Sequence, residues 1–212
     1  MNTDELEFVK AVQLTLVSRE DATPELLDHF SKSPSASVRK IVAKHQNALP
    51  ETLDRLADDS YFIVRFYVAQ NEHTSADTLD RLSSDDDMDV LSAIAKNPNT
   101  SVETLNGIFQ EHDMFNVNIS LAKNPNCPPE ILDELSSKDN GVKEFIAMNP
   151  NATAETLDRL ADVKSDSNVQ KQVLLNPHTS TETLLRLSFC DNEELRDMAT
   201  EKLKQRMENE NC

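Results

Sequence analysis

A chain of 212 residues with 38 acidic and 21 basic side chains carries a net charge of −17, which disfavours nucleic acid and anionic membranes as partners because both are polyanions. Its residues are 38% hydrophobic, enough for a sizeable if thin core, and no stretch approaches the roughly 20 apolar residues of a membrane span. Gly107 and Gly141 alone cannot build a phosphate-cradling loop, and three distant cysteines without a Cys-x-x-Cys do not make a disulfide scaffold. The start MNTDELEFVK lacks a basic region followed by an apolar run, so a cytoplasmic protein is expected, with Cys127, Cys190 and Cys212 reduced.

Residues 1–11 are expected to cap one end, through an amphipathic segment around Leu6, Val9 and Val12. From 12 to 191 the chain repeats one pattern. The segments LVSREDATPELL, VAKHQNALPETL, VAQNEHTSADTL, IAKNPNTSVETL, LAKNPNCPPEIL, IAMNPNATAETL and VLLNPHTSTETL end on Leu27, Leu53, Leu79, Leu105, Leu132, Leu157 and Leu184, at steps of 26, 26, 26, 27, 25 and 27 residues. A period of that length marks a solenoid, whose units bury their apolar faces only against one another.

Each repeat has two helical halves. The first reads Val-x-x-x-apolar-Ala, as from Val38 to Ala43, Val64 to Ala69, Val90 to Ala95, Val117 to Ala122 and Val142 to Ala147, with degenerate copies at Val12, Val169 and Leu195. Apolar residues at i, i+4 and i+5 share one side of a turn, which predicts a short helix, α or partly 3₁₀. Asn-Pro then ends it at Asn97, Asn124, Asn149 and Asn176, because proline pushes the preceding residue out of the α region. With Asn71, these asparagines are expected to bond backbone groups of the turn in a repeated ladder.

The second half opens near Thr74, Thr100 or Thr179, each followed three residues later by an acid (Asp77, Glu103, Glu182), the spacing of a capping box. Within this helix Leu53, Leu79, Leu132, Leu157 and Leu184 each meet a leucine three residues on. Glu51/Arg55, Asp77/Arg81, Glu155/Arg159 and Glu182/Arg186 stand four apart, the favourable order for an exposed intrahelical pair. A charged helix from about Asn192 closes the other end, making residues 192–212 a capping helix and tail.

The pattern Val-Arg-x-x-Val-Ala-x-Asn-Pro-x-Thr-x-x-Glu-x-Leu-x-x-Leu-Ala resembles the leucine-rich repeat variant family, over residues from about Val12 to Thr200. The resemblance implies alternating α and 3₁₀ helices in a right-handed superhelix without β-sheet. The expected fold is therefore all-α: a single solenoid domain of about seven 26-residue two-helix repeats over residues 1–212. Arg19 and His45 depart from the pattern by occupying the asparagine slot, and Leu174 replaces the alanine. Some relatives carry a cysteine-rich iron–sulfur module before the repeats; the first 30 residues here hold no cysteine, so that function does not transfer.

No cofactor, metal or catalytic site is expected: the five histidines lack metal-ligand spacing, and His73 and His178, which share a slot, are four repeats apart. The acidic stretches Asp58-Asp59 and Asp85-Asp86-Asp87 are expected to form a solvated face. Two irregularities suggest a binding surface. The first helices gather Arg39, Lys40, Lys44, Arg65, Lys96, Lys123, Lys143, Lys171 and Arg196 against Glu144, Asp197 and Glu201, a basic stripe expected on the inner face of the solenoid. Phe62, Phe66, Met88, Leu91, Met114, Phe115 and Ile119 fall in slots that elsewhere hold residues such as Ala36, Lys40, Asn140, Lys143, Glu144, Ser167 and Lys171, which marks either an apolar patch or local core filling. Candidate partner-binding residues are Arg39, Arg65, Lys96 and Lys123 with Phe62, Phe66, Leu91, Phe115 and Ile119. The expected function is a non-enzymatic, monomeric scaffold binding a protein through that face. An acidic inhibitor of the immunity or nucleic-acid-mimic type is one alternative, and nucleic-acid binding through the basic stripe is another.

Overall fold

The computed structural model describes residues 3–138, 141–162 and 166–210; Asn140 and Cys212, named above, lie outside them. These residues form α1 (Thr3–Val17), α2 (Pro24–Phe30), α3 (Ala36–Lys44), α4 (Pro50–Leu56), α5 (Phe62–Gln70), α6 (Ala76–Leu82), α7 (Met88–Lys96), α8 (Val102–Glu111), α9 (Phe115–Lys123), α10 (Pro129–Lys138), α11 (Lys143–Met148), α12 (Ala154–Leu160), α13 (Ser167–Leu175), α14 (Thr181–Leu187) and α15 (Glu193–Glu210). There is no strand among the described residues, and both halves of the repeat are α-helical; no 3₁₀ segment occurs among them. Odd-numbered helices are the first halves of the repeats and even-numbered helices the second.

Cα packing groups the chain into two units, Met1–Asp113 and Met114–Cys212. In the first, α1, α3, α5 and α7 stack directly on one another; in the second, α9, α11, α13 and α15 do the same. The even helices pack mainly against the odd helices beside them, so within each unit the odd row is the more tightly packed.

Each repeat buries the same residues. Val38, Val64 and Val90 are fully buried with Leu27, Leu53, Leu79 and Leu105 in the first unit, and Val117, Val142, Leu132, Leu157 and Leu184 recur as fully buried residues in the second. Each such leucine contributes about 1.5–3 kcal/mol by burial. The alanines of the pattern, Ala43, Ala69, Ala122 and Ala147, are fully covered where the odd helices end. In the N-terminal helix the apolar face is used only partly: Val17 is buried, whereas Leu6, Phe8, Val9 and Val12 stay exposed.

Helix ends follow local chemistry with one correction. Asn71, Asn97, Asn149 and Asn176 are the C-caps of α5, α7, α11 and α13, in extended backbone. The N-caps of α6, α8 and α14 are Ser75, Ser101 and Ser180, whose hydroxyls accept from the N–H three residues on. The preceding threonines are not caps. Thr74, Thr100 and Thr179 are buried and donate backward to the carbonyls of Val68, Ile94 and Val173 at 2.5, 2.6 and 2.5 Å, tying each turn to the helix it leaves. This places the acid at the second helical position rather than the third, so the capping box does not form.

Candidate partner-binding face

Three polar ladders hold successive repeats together, and they decide which charged residues remain for a partner. The first runs through the asparagine slot. Asn71 Nδ2 donates to the carbonyls of Ala43 and His45 at 2.8 and 3.1 Å, while its Oδ1 accepts from His73 N–H at 2.9 Å. Asn97 repeats this against Ala69 and Asn71, Asn149 against Ala122 and Asn124, and Asn176 against Ala147 and Asn149. His45 reproduces the motif with a ring: Nδ1 accepts from Asn47 N–H at 3.0 Å and Nε2 lies 2.9 Å from the Arg19 carbonyl, which fixes the Nε2-protonated tautomer. Arg19, in the first copy of the slot, pairs with Asp21. Two residues further on, Asn47, Asn99 and Asn151 reach back in the same way to the carbonyls of Ala22, Thr74 and Cys127.

A second ladder runs along the even helices. Asp54 accepts from Thr78 Oγ1 at 2.8 Å and from Arg81 at 2.5 Å; Asp28 does so from Thr52 and Arg55, Asp133 from Thr156 and Arg159, and Asp158 from Thr183, with Arg186 alongside. The hydrogen bonds from Thr78 and Arg81 hold Asp54 below the usual carboxylate range against a smaller opposing effect of burial. These arginines were expected to pair within their own helix. They pair with the preceding repeat instead; among the described residues only Arg159 also approaches its own Glu155, at 3.9 Å.

The third ladder overturns the role expected for Arg39 and Arg65. Arg39 Nε and Nη2 grip Asp59 at 2.5 and 2.9 Å, and Nη1 donates to the Ser33 carbonyl. Arg65 grips Asp85 identically and donates to the Asp59 carbonyl. The arginine side chains are only 14% and 20% exposed and both aspartates 5%. Burial alone would raise Asp59 and Asp85, but the bidentate arginine, the N–H of Tyr61 or Asp87 and the arginine charge outweigh it and hold both carboxyls low. Arg39 and Arg65 are therefore structural clamps between loop and helix, and Asp59 and Asp85 are not part of a solvated face. Leu91 occupies the same helical slot in α7, and it is fully buried core rather than exposed patch.

What is left on the surface can be read slot by slot. In the first unit, residues at i, i+4 and i+8 of three stacked helices give Ala36, Lys40, Lys44 on α3, then Phe62, Phe66, Gln70 on α5, then Met88, Ser92, Lys96 on α7. Phe62 is 44% exposed and Phe66 half-buried; Lys44, Gln70 and Lys96 are exposed. Tyr61 is exposed beside the Arg39 guanidinium, and Lys44 Nζ lies 5.7 Å from the Tyr67 ring centroid. In the second unit Phe115 is 52% exposed, next to exposed Met114, and Ile119 is half-buried. Lys123 stacks over Phe145 at 4.0 Å, the same pair of slots as Lys44 and Tyr67, and Lys171 is joined to Glu194 at 2.5 Å.

Sequence reasoning missed Tyr61, Met148 and Leu175, all exposed. Tyr61 was findable, because its slot holds Ser35 and Asp87 in the neighbouring repeats. Among the described residues no group of three or more His, Cys, Asp or Glu side chains is placed to hold a metal ion, and no helix is long and apolar enough to cross a membrane.

The architecture and this face define an α-helical repeat protein of two-helix units. No family model and no curated protein matches the chain. Among solved structures it is similar to one described as a leucine-rich repeat variant with a novel repetitive protein structural motif, at 20% identity over 84% of this chain and 80% of that one, with a TM-score of 0.47.

Proposed function

We propose that this protein is a non-catalytic scaffold that binds another protein through the odd-helix face of its first unit. The observation that carries the reading is the aromatic pair Phe62 and Phe66, one helical turn apart on α5, in slots where the preceding repeat holds Ala36 and Lys40. Aromatic anchors ringed by polar side chains are the usual energetic layout of an interface. The clamps Arg39–Asp59 and Arg65–Asp85 on the neighbouring slot fix the backbone that presents them, so little ordering cost would attend binding.

The test is affinity capture from native lysate with two baits, wild type and Phe62→Ala. A partner held by the wild type and lost by the variant, with thermal melting unchanged, supports the reading; equal capture by both overturns it. The acidic-inhibitor reading is favoured by a different observation, the exposed acids Glu25, Glu51, Asp77 and Glu103 in the first turns of successive even helices. It predicts a basic partner that is indifferent to Phe62 and released steeply by salt.

A further inference from the structure

The internal ladders sort the basic residues that the sequence places on the odd helices. Arg39 and Arg65 are consumed by Asp59 and Asp85, Lys171 by Glu194, and Lys123 lies on Phe145. Among the described residues Lys40, Lys44 and Lys96 make no ion pair, and neither do Lys143 and Arg196 of the second unit; Lys44 lies 5.7 Å from the Tyr67 ring, a looser contact than the 4.0 Å of Lys123 on Phe145. Lys40, Lys44 and Lys96 are the ones on α3 and α7, the helices packed on either side of α5 with Phe62 and Phe66. We infer that this face receives an acidic amphipathic helix, its apolar stripe over Phe62 and Phe66 and its carboxylates toward Lys40, Lys44 and Lys96. The inference rests on the scaffold reading and names the chemistry of the partner.

The geometry selects the occupant. Phe62, Phe66 and Gln70 are each one turn apart, about 6 Å along α5. The slots holding Lys44 and Lys96 lie on the helices either side of α5, so their rows are roughly 16–20 Å apart at ordinary helix spacing. A helix lying along α5 is about 10–12 Å across with its side chains, so its two flanks come within a lysine's reach of both rows while its centre covers the aromatics. An extended strand places side chains on two opposite faces only and cannot meet the aromatics and both lysine rows together.

The chain's net charge of −17 does not oppose this at contact range. Screening at physiological salt acts over about 8 Å, so carboxylates on the even helices are largely hidden from this face. The acids close at hand include Asp89, exposed on α7, Glu72, which lines a small cleft with Gln70 and Lys96, and exposed Glu20, which lines another with Lys44.

The experiment is selection of displayed random peptides of roughly 16 residues, about four helical turns, on the wild-type protein, followed by titration of synthetic winners against variants. Expected winners carry apolar residues at i and i+4 with Asp and Glu in excess. They should bind at least about tenfold more weakly to Lys44→Glu/Lys96→Glu, whose altered side chains are exposed, with melting unchanged. Winners that depend on Phe62 yet carry no acidic excess, or ignore the lysine reversal, overturn the acidic partner and leave the scaffold reading standing. Winners indifferent to both Phe62→Ala and the lysine reversal overturn both.

Discussion

Asn97 donates its amide to the carbonyl of Asn71 at 3.0 Å, and Asn71 donates in turn to the carbonyl of His45 at 3.1 Å, so each residue of the ladder is held by the next and holds the one before. Asn97 is 3% exposed and its second donor is taken by the Ala69 carbonyl at 2.7 Å. Asn97→Ala leaves covered acceptors unmatched and should cost on the order of 1–3 kcal/mol, seen as a lowered urea midpoint. Asn97→Asp should be worse at neutral pH, because a carboxylate cannot donate to the two carbonyls. An Asn97→Ala midpoint equal to wild type would show that the ladder contributes nothing to stability.

The clamp between Arg39 and Asp59 should give stability with a defined pH dependence. The folded-state carboxyl of Asp59 sits below its ordinary value, so its contribution is complete above the unfolded pKa of about 4 and fades as pH falls through the lower folded value. Arg39→Ala strands a nearly buried carboxylate and should cost on the order of 3 kcal/mol at pH 7. The difference from wild type should shrink as pH falls from the value Asp59 takes once the arginine is gone, higher because its largest support against burial is lost, to the lowered value it has in the clamp, as measured by denaturation at stepped pH. A difference that stays constant into strong acid would contradict the assignment.

Arg81 makes an equally short contact with Asp54, but these side chains are 48% and 50% exposed. Solvent screening limits such a pair to under about 1 kcal/mol. A double-mutant cycle on Arg81 and Asp54 should therefore return a coupling clearly smaller than one on Arg39 and Asp59. Equal couplings would mean that burial is not what separates the two ladders.

Cys127 is fully covered, and loss of solvation pushes its thiol up to about 12. Since the thiolate is the nucleophile, iodoacetamide at pH 8 should label Cys190, which is partly exposed, and spare Cys127 until denaturant opens the unit. Peptide mapping distinguishes the sites, and rapid native labelling of Cys127 would refute its burial.

How much of this was legible in the sequence depends on the distance over which each interaction acts. Asn71 and Asn97 could be read because a polar residue recurring at a helix end, just before a turn, has few roles open to it. Ser75 was passed over for Thr74 because both carry a hydroxyl at the mouth of the helix, and only burial shows that Thr74 turns back toward Val68. Arg81 was misread because the rule for side chains four apart in a helix knows nothing of a neighbour 27 positions earlier; the stacked Asp54 outcompetes the intrahelical Asp77. Arg39 was misread for the same reason, since Asp59 stands 20 residues ahead in the next loop. Charge counting identified the basic residues correctly but not which of them the fold had already spent. Leu91 and Phe62 both departed from their slots' usual polarity, and nothing local distinguishes the covered slot of Leu91 from the open one of Phe62.

The C-terminal helix α15 carries Arg206, whose guanidinium donates to the carbonyls of Pro177 and Thr179 at 3.3 and 2.5 Å, the acceptors that in earlier turns belong to an asparagine of the following repeat. The second unit is thus directional, like a polymer with a head and a tail: its turns at Pro125–Cys127 and Pro177–Thr179 each offer acceptors to a donor that follows in the chain, and on the latter Arg206 is that donor. A further repeat could be grafted after α14 only by displacing that arginine and supplying the asparagine it imitates.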